Sequence, residues 1–166
     1  MQQAPAGQFA PDLPWRVAFH RSWRSMKGWV MVWLWALNGV YWLGLLFLPR
    51  PEAVWALVAY VAVAPLIVVM VRRQRGLTRL SGLIHLPWIP LALYLGLRLF
   101  TDLLGPALSS ADGAAYVLWL QVLFWSTLAC LAADAFDVVR WFAGERFVLG
   151  TPAAHAAGAS KLAAQS

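Results

Sequence analysis

The chain has 166 residues, 61% of them hydrophobic and only 12% charged, with a net charge of +6 and a mean hydropathy of +0.65. An apolar fraction this far above the roughly 45–50% of soluble domains excludes an ordinary water-soluble fold, and the segregation of charge from four long apolar runs marks an integral membrane protein. The calculated pI of about 10.3 does not point to nucleic acid, because the basic residues flank apolar runs and no stretch of about 50 residues is left over for a soluble domain to present them.

Residues 1–27 form an amino-terminal arm. Its first dozen residues, MQQAPAGQFAPD, carry no positive charge, so no cleavable signal peptide is expected and the first span serves as its own insertion signal. Trp15, Phe19 and Trp23 recur every four residues, and Arg16, His20 and Arg24 follow one position later. An aromatic stripe beside a basic stripe fits either an amphipathic helix in the headgroup plane or an extension of the first transmembrane helix. Pro11 and Pro14 place the helix start near Leu13.

Apolar runs follow at residues 28–48, 53–71, 83–104 and 114–133, each near the ~20 residues that cross a bilayer as a helix. The expected fold is all-α, a four-transmembrane-helix bundle over residues 28–147, with the last helix running on to about residue 143 before Gly144 stops it. Residues 148–166 show no sustained polar/apolar period and are expected to form a flexible tail. The basic residues set the orientation: Arg16, Arg21, Arg24 and Lys27 precede the first run, Arg72, Arg73, Arg75 and Arg79 lie between the second and third, and Arg140, Arg146 and Lys161 follow the fourth. Only Arg50 and Arg98 fall on the other side, so the positive-inside rule puts both termini in the cytoplasm. Composition and compact loops suggest a bacterial cytoplasmic membrane, with anionic lipid headgroups as partners of the basic clusters.

Polar residues inside spans are costly and therefore the places to look for function. Asn38 lies in the first run and Gln121 in the fourth, while Pro65 interrupts the second and frees the Val61 carbonyl. The two amides either satisfy that kink and one another or line a path for a small solute. In the third run Pro87 and Pro90 imply either a short helix followed by a span from Pro87, or a helix kinked twice that exposes carbonyls near His85. His85, beside Trp88, suits axial ligation of a haem or chlorin metal or a proton-transfer step, against the plainer reading of a satisfied interfacial histidine. Arg98 and Asp102 stand four apart and are expected to pair on one helical face.

The fourth run carries Ser126, Cys130, Asp134, Asp137 and Trp141 at steps of four, four, three and four. Its small residues admit a close backbone, and Asp134 and Asp137 then meet Arg72, Arg73, Arg75 and Arg79 of the inner connection, with Arg140 also in reach of Asp137. That set reads as an electrostatic latch, or else as a docking face or a cation site in the segment from Asp134 to Trp141. Cys130, the one cysteine, behaves as a small buried residue. No phosphate loop, no set with metal-ligand spacing and no Ser-His-Asp set is present in the sequence, so no cofactor is required by it. With Trp33, Trp35 and Trp42 offering rigid contact area along the first run, the expected function is a non-catalytic accessory or scaffold subunit of a larger membrane complex. The alternatives are a small-solute or ion transporter or channel acting as a homo-oligomer, and a pigment- or haem-binding subunit using His85.

Overall fold

The computed structural model describes residues 7–10, 12–106 and 108–163. Among these the chain is all-helical: α1 (Trp15–Arg24), α2 (Gly28–Leu43), α3 (Pro51–Gln74), α4 (Trp88–Phe100), α5 (Ala114–Phe142) and α6 (Pro152–Ala163), joined in part by 3₁₀ segments at Gly44–Phe47, Arg79–His85 and Ser110–Asp112. Three stretches are long and apolar enough to cross a membrane: Gly28–Phe47 with 20 residues, Pro51–Gln74 with 24 and Ala114–Phe142 with 29. At 1.5 Å per residue these measure about 30, 36 and 44 Å, at or beyond the thickness of a hydrocarbon core.

The apolar run at 83–104 is not one helix. α4 has 13 residues, about 20 Å, which falls short of a bilayer core. The 3₁₀ segment Arg79–His85 precedes it at an angle of 51°. The prolines explain the break. Pro87 caps α4 and Pro90 sits in its first turn, where an N–H has no intrahelical acceptor in any case. Extending the α-helix backward through His85 would drive both rings into carbonyls four residues earlier. Instead a capping box closes the 3₁₀ segment at its start, with Thr78 Oγ1 accepting from Leu80 N at 3.2 Å and Thr78 N donating to Ser81 Oγ at 3.1 Å.

The core lies between α2, α3, α4 and α5. α5 is its axis, since 44% of its most apolar stretch is buried, against 17% for the first candidate span and 11% for the second. Small residues let α3 come close: Ala53, Ala56 and Ala59, three apart, are all buried. Leu91, Leu95 and Leu99 of α4, four apart, face the same core as Leu120, Leu123 and Phe124 of α5. Gly44 sits where a Cβ would lie 3.0 Å from the Trp119 ring, and that indole donates its N–H to the Val40 carbonyl at 2.8 Å. The tryptophans of α2 face outward, Trp29 and Trp35 most of all.

Two ends can be distinguished. Among the described residues, the hairpin end holds 44–52, 101–106 and 108–113; the terminal end holds α1, residues 75–87 and those from 135 to 163. At the terminal end α1 is tied to the body by buried Ala18 and Ser22, whose Oγ accepts from Leu77 N at 3.2 Å. Where a flexible tail is expected from residue 148, Val148 and Thr151 are buried. Val148 N donates to the Gly7 carbonyl and Leu149 N to the Leu77 carbonyl, each at 2.8 Å, before α6 begins. The local sequence is small and apolar without a period, so the order here comes from tertiary backbone pairing rather than from an amphipathic face.

Candidate functional site

The 3₁₀ segment Arg79–His85 lies against α5, and Gly82 permits it: a Cβ there would stand 2.8 Å from Asp134 Cβ and 3.1 Å from its Cα. At Asp134 a close backbone approach is thus made within the chain, with the glycine on the opposing segment. This contact delivers His85, the last residue of the 3₁₀ segment, to the side chains of Cys130 and Asp134, which are one helical turn apart on α5. His85 Nδ1 is 2.7 Å from Asp134 Oδ2, and Cys130 Sγ is 4.0 Å from the same nitrogen and 3.7 Å from the same oxygen. The imidazole also stacks on the Trp88 indole, centroids 4.2 Å apart, and Trp88 stacks in turn on Tyr41 at 4.7 Å. Asp134 therefore meets His85, not the arginines assigned to it from sequence.

Asp137 and its neighbours form the ionic network. Arg79 bonds Asp137 through Nη1 and donates from Nε to Glu145 Oε2 at 2.8 Å. Arg140 donates to both Glu145 oxygens at 3.1 and 2.7 Å and lies 4.0 Å from Asp137. Of the connection's arginines, Arg79 carries this pairing; Arg72 lies over the Trp15 ring at 5.0 Å, and Arg75 takes a left-handed conformation with φ of 57°. Glu145 joins the set because Gly144, with φ of 110°, turns the chain back toward α5 just past its end. A helix stop was legible at Gly144; the return that brings Glu145 inward was not.

At the hairpin end the structure pairs Arg98 with Glu52. Arg98 Nε donates to Glu52 Oε1 at 2.9 Å and Tyr116 OH to Glu52 Oε2 at 2.7 Å, while Arg50 lies 4.1 Å over the Tyr116 ring. Arg98 Nη1 also reaches the carbonyls of Leu104 and Pro106 at 3.3 and 3.1 Å. The shared helical face assumed for Arg98 and Asp102 does not exist, because α4 ends at Phe100 and Thr101 is extended with φ of −141°. Sequence reasoning passed over Glu52 and Tyr116; the available signal was a lone carboxylate at the start of α3, at the same end of its run as Arg98.

Asn38 and Gln121 do not meet. Asn38 Nδ2 donates to the Leu34 carbonyl at 2.6 Å and its Oδ1 accepts from Tyr60 OH, so its amide is satisfied by α2 and α3. α3 runs unbroken through Pro65. Gln121 is exposed on the outer surface of α5. It lies in an apolar groove of about 480 Å³ between α2 and α5, with Trp33 and Trp125 beside the small Ser126 and Ala129. No family model, curated protein or solved structure matches this chain. Any functional reading therefore rests on these clusters themselves.

Their chemistry differs. The Glu52 and Arg79 clusters are closed sets of ion pairs that hold elements together. The His85 cluster is not a nucleophile-base-orienter set, because the thiol and the carboxylate approach the same imidazole nitrogen rather than opposite ones. His85 lines neither the α2/α5 groove nor the groove between α4 and α5 that holds Gly96 and Phe124.

Proposed function

We propose that this protein is a non-catalytic membrane subunit that binds a transmembrane helix of another protein along the α2/α5 groove. The observation that carries the reading is Gln121. A carboxamide two turns into an apolar span, facing outward with no hydrogen bond to the described residues, is costly in hydrocarbon, and an interhelical hydrogen bond recovers roughly 0.6–2 kcal/mol. Ser126 and Ala129 beside it let a second backbone approach, and Trp33 and Trp125 flank the approach with rigid rings.

In this reading the bent pair Arg79–His85 and Trp88–Phe100 completes a fourth span, both ends of the chain lie in the cytoplasm by the positive-inside rule, and the membrane is the bacterial cytoplasmic one. α1 lies near the headgroups with Arg16, His20 and Arg24 exposed. The Arg79, Asp137, Arg140 and Glu145 network latches the cytoplasmic face. Solute transport along Asn38 and Gln121 has less support, since Asn38 is engaged with Tyr60 and Gln121 faces outward.

A photoreactive amino acid at Val122, inside the groove, tests the proposal in native membranes. The expected product is a crosslink to one membrane protein, lost when Gln121→Leu is added. A crosslink to a second copy of this chain moves the reading to a homo-oligomer; reaction with lipid alone removes the docking role.

A further inference from the structure

We infer that His85, Cys130 and Asp134 bind a divalent transition-metal ion of the zinc class, with three protein ligands and one open position. Nδ1, Sγ and Oδ2 lie 2.7, 3.7 and 4.0 Å apart in pairs, and the three ligand atoms fall together within 4.8 Å. Around a tetrahedral ion with bonds of about 2.0–2.3 Å, ligand atoms stand roughly 3.3–3.7 Å from one another. The thiol-carboxylate distance already fits. The imidazole-thiol distance must close slightly, and the imidazole-carboxylate contact must open by about half an ångström, which exchanges one hydrogen bond for two coordinate bonds.

The donor set selects the ion. A thiolate and an imidazole are poor ligands for calcium or magnesium, which take oxygen, and suit zinc and its neighbours. Thiolate, carboxylate and neutral imidazole sum to two negative charges, so a dication leaves the site neutral where Cys130 is buried. On binding, the Cys130 thiol gives up its proton to solvent, the hydrogen that His85 Nδ1 donates to Asp134 leaves that nitrogen so that the neutral ring carries its hydrogen on Nε2, and the freed sulfur and nitrogen bond the metal; no electrons are transferred.

The supports are rigid. Cys130 and Asp134 share one helix, Gly82 holds the 3₁₀ segment against Asp134, and the Trp88 ring restrains the imidazole. The Trp88 indole N–H is also the one buried side-chain donor among the described residues that has no partner, an unused donor in the ring stack that contains His85. No sequence spacing announces such a site, since His85 lies 45 residues from Cys130.

Cobalt(II) is the probe. Because the chain has a single cysteine, a thiolate-to-cobalt charge-transfer band can arise only from Cys130. Full-length protein in detergent, titrated with Co²⁺, is expected to give that band in the near ultraviolet at one equivalent, together with visible bands of four-coordinate intensity, and added Zn²⁺ should abolish both. Cys130→Ala should lose the charge-transfer band, while His85→Gln and Asp134→Asn should each weaken binding by tenfold or more. Exposed His20 and His155 produce no such band. Folded wild-type protein that shows no charge-transfer band with Co²⁺ in excess overturns the inference. So does a band that His85→Gln and Asp134→Asn leave unaltered, which would reduce the site to a thiol alone.

Discussion

Gly82 is the residue on which the terminal end turns. An alanine there must displace Asp134, whose Cβ and Cα would lie 2.8 and 3.1 Å from the new methyl, closer than van der Waals contact allows, and overpacking of this kind costs roughly 1–3 kcal/mol. Gly82→Ala is therefore expected to lower the thermal midpoint in detergent, whereas Gly39→Ala, with nothing within 4 Å of its Cβ, should not. Glu52 makes the complementary case with charge. It is 4% exposed and holds both Arg98 and Tyr116; Glu52→Gln leaves the guanidinium without its carboxylate, and breaking one side of a buried pair costs about 3–5 kcal/mol. Adding Arg98→Met should restore much of that loss, as read by denaturation of the single and double variants. A double variant no more stable than Glu52→Gln would mean that the Arg98 contacts to the Leu104 and Pro106 carbonyls matter more than the ion pair.

Among the elements, α5 and the 3₁₀ segment divide what the sequence discloses from what it hides. The long helices were legible, because runs of apolar residues without charge have one common explanation at this length: residues 114–133 with an extension to about 143 correspond to Ala114–Phe142, and 53–71 to Pro51–Gln74. The break near Pro87 was legible as well. The clusters were not. Cys130 and Asp134 can be placed on one face from their spacing, but His85 joins them only through the register of a 3₁₀ segment and a glycine contact across chain segments. Glu52, Arg98 and Tyr116 lie 46 and 64 residues apart, beyond the reach of any local period. The bent pair also sets a sharp question about topology. In a Cys130→Ala background, cysteines at Arg73 and Ser110 should react with a membrane-impermeant thiol reagent from opposite sides if Arg79–His85 and α4 form one broken span. Labelling of both from the same side would make the pair a re-entrant loop, leaving three spans.

For the whole molecule, the outward-facing surface is the dominant fact. Trp29, Trp35, Trp42, Trp55 and Trp125 are all more than half exposed, which suits lipid or a neighbouring helix and not water. Gln121→Leu removes the one amide in the α2/α5 groove and should leave the isolated protein as stable as wild type, since no hydrogen bond to the described residues is lost, while any partner bound there dissociates during detergent gel filtration. Loss of stability in the isolated protein would instead give Gln121 an internal role.

The pairing of Val148 with Gly7 and of Leu149 with Leu77 has a temporal consequence. During synthesis the segment around Gly7 leaves the ribosome before α2 has formed, yet its partner strand of backbone follows α5. The Gly7 carbonyl must wait for this partner until every apolar helix from α2 to α5 has been made and delivered to the membrane, although α1 meets Leu77 sooner. Closure of this contact thus reports that α5 and the turn at Val148 have been made: a protease that cuts near Gly7 should cleave forms truncated before Val148 readily and the chain that carries Val148 and Leu149 slowly.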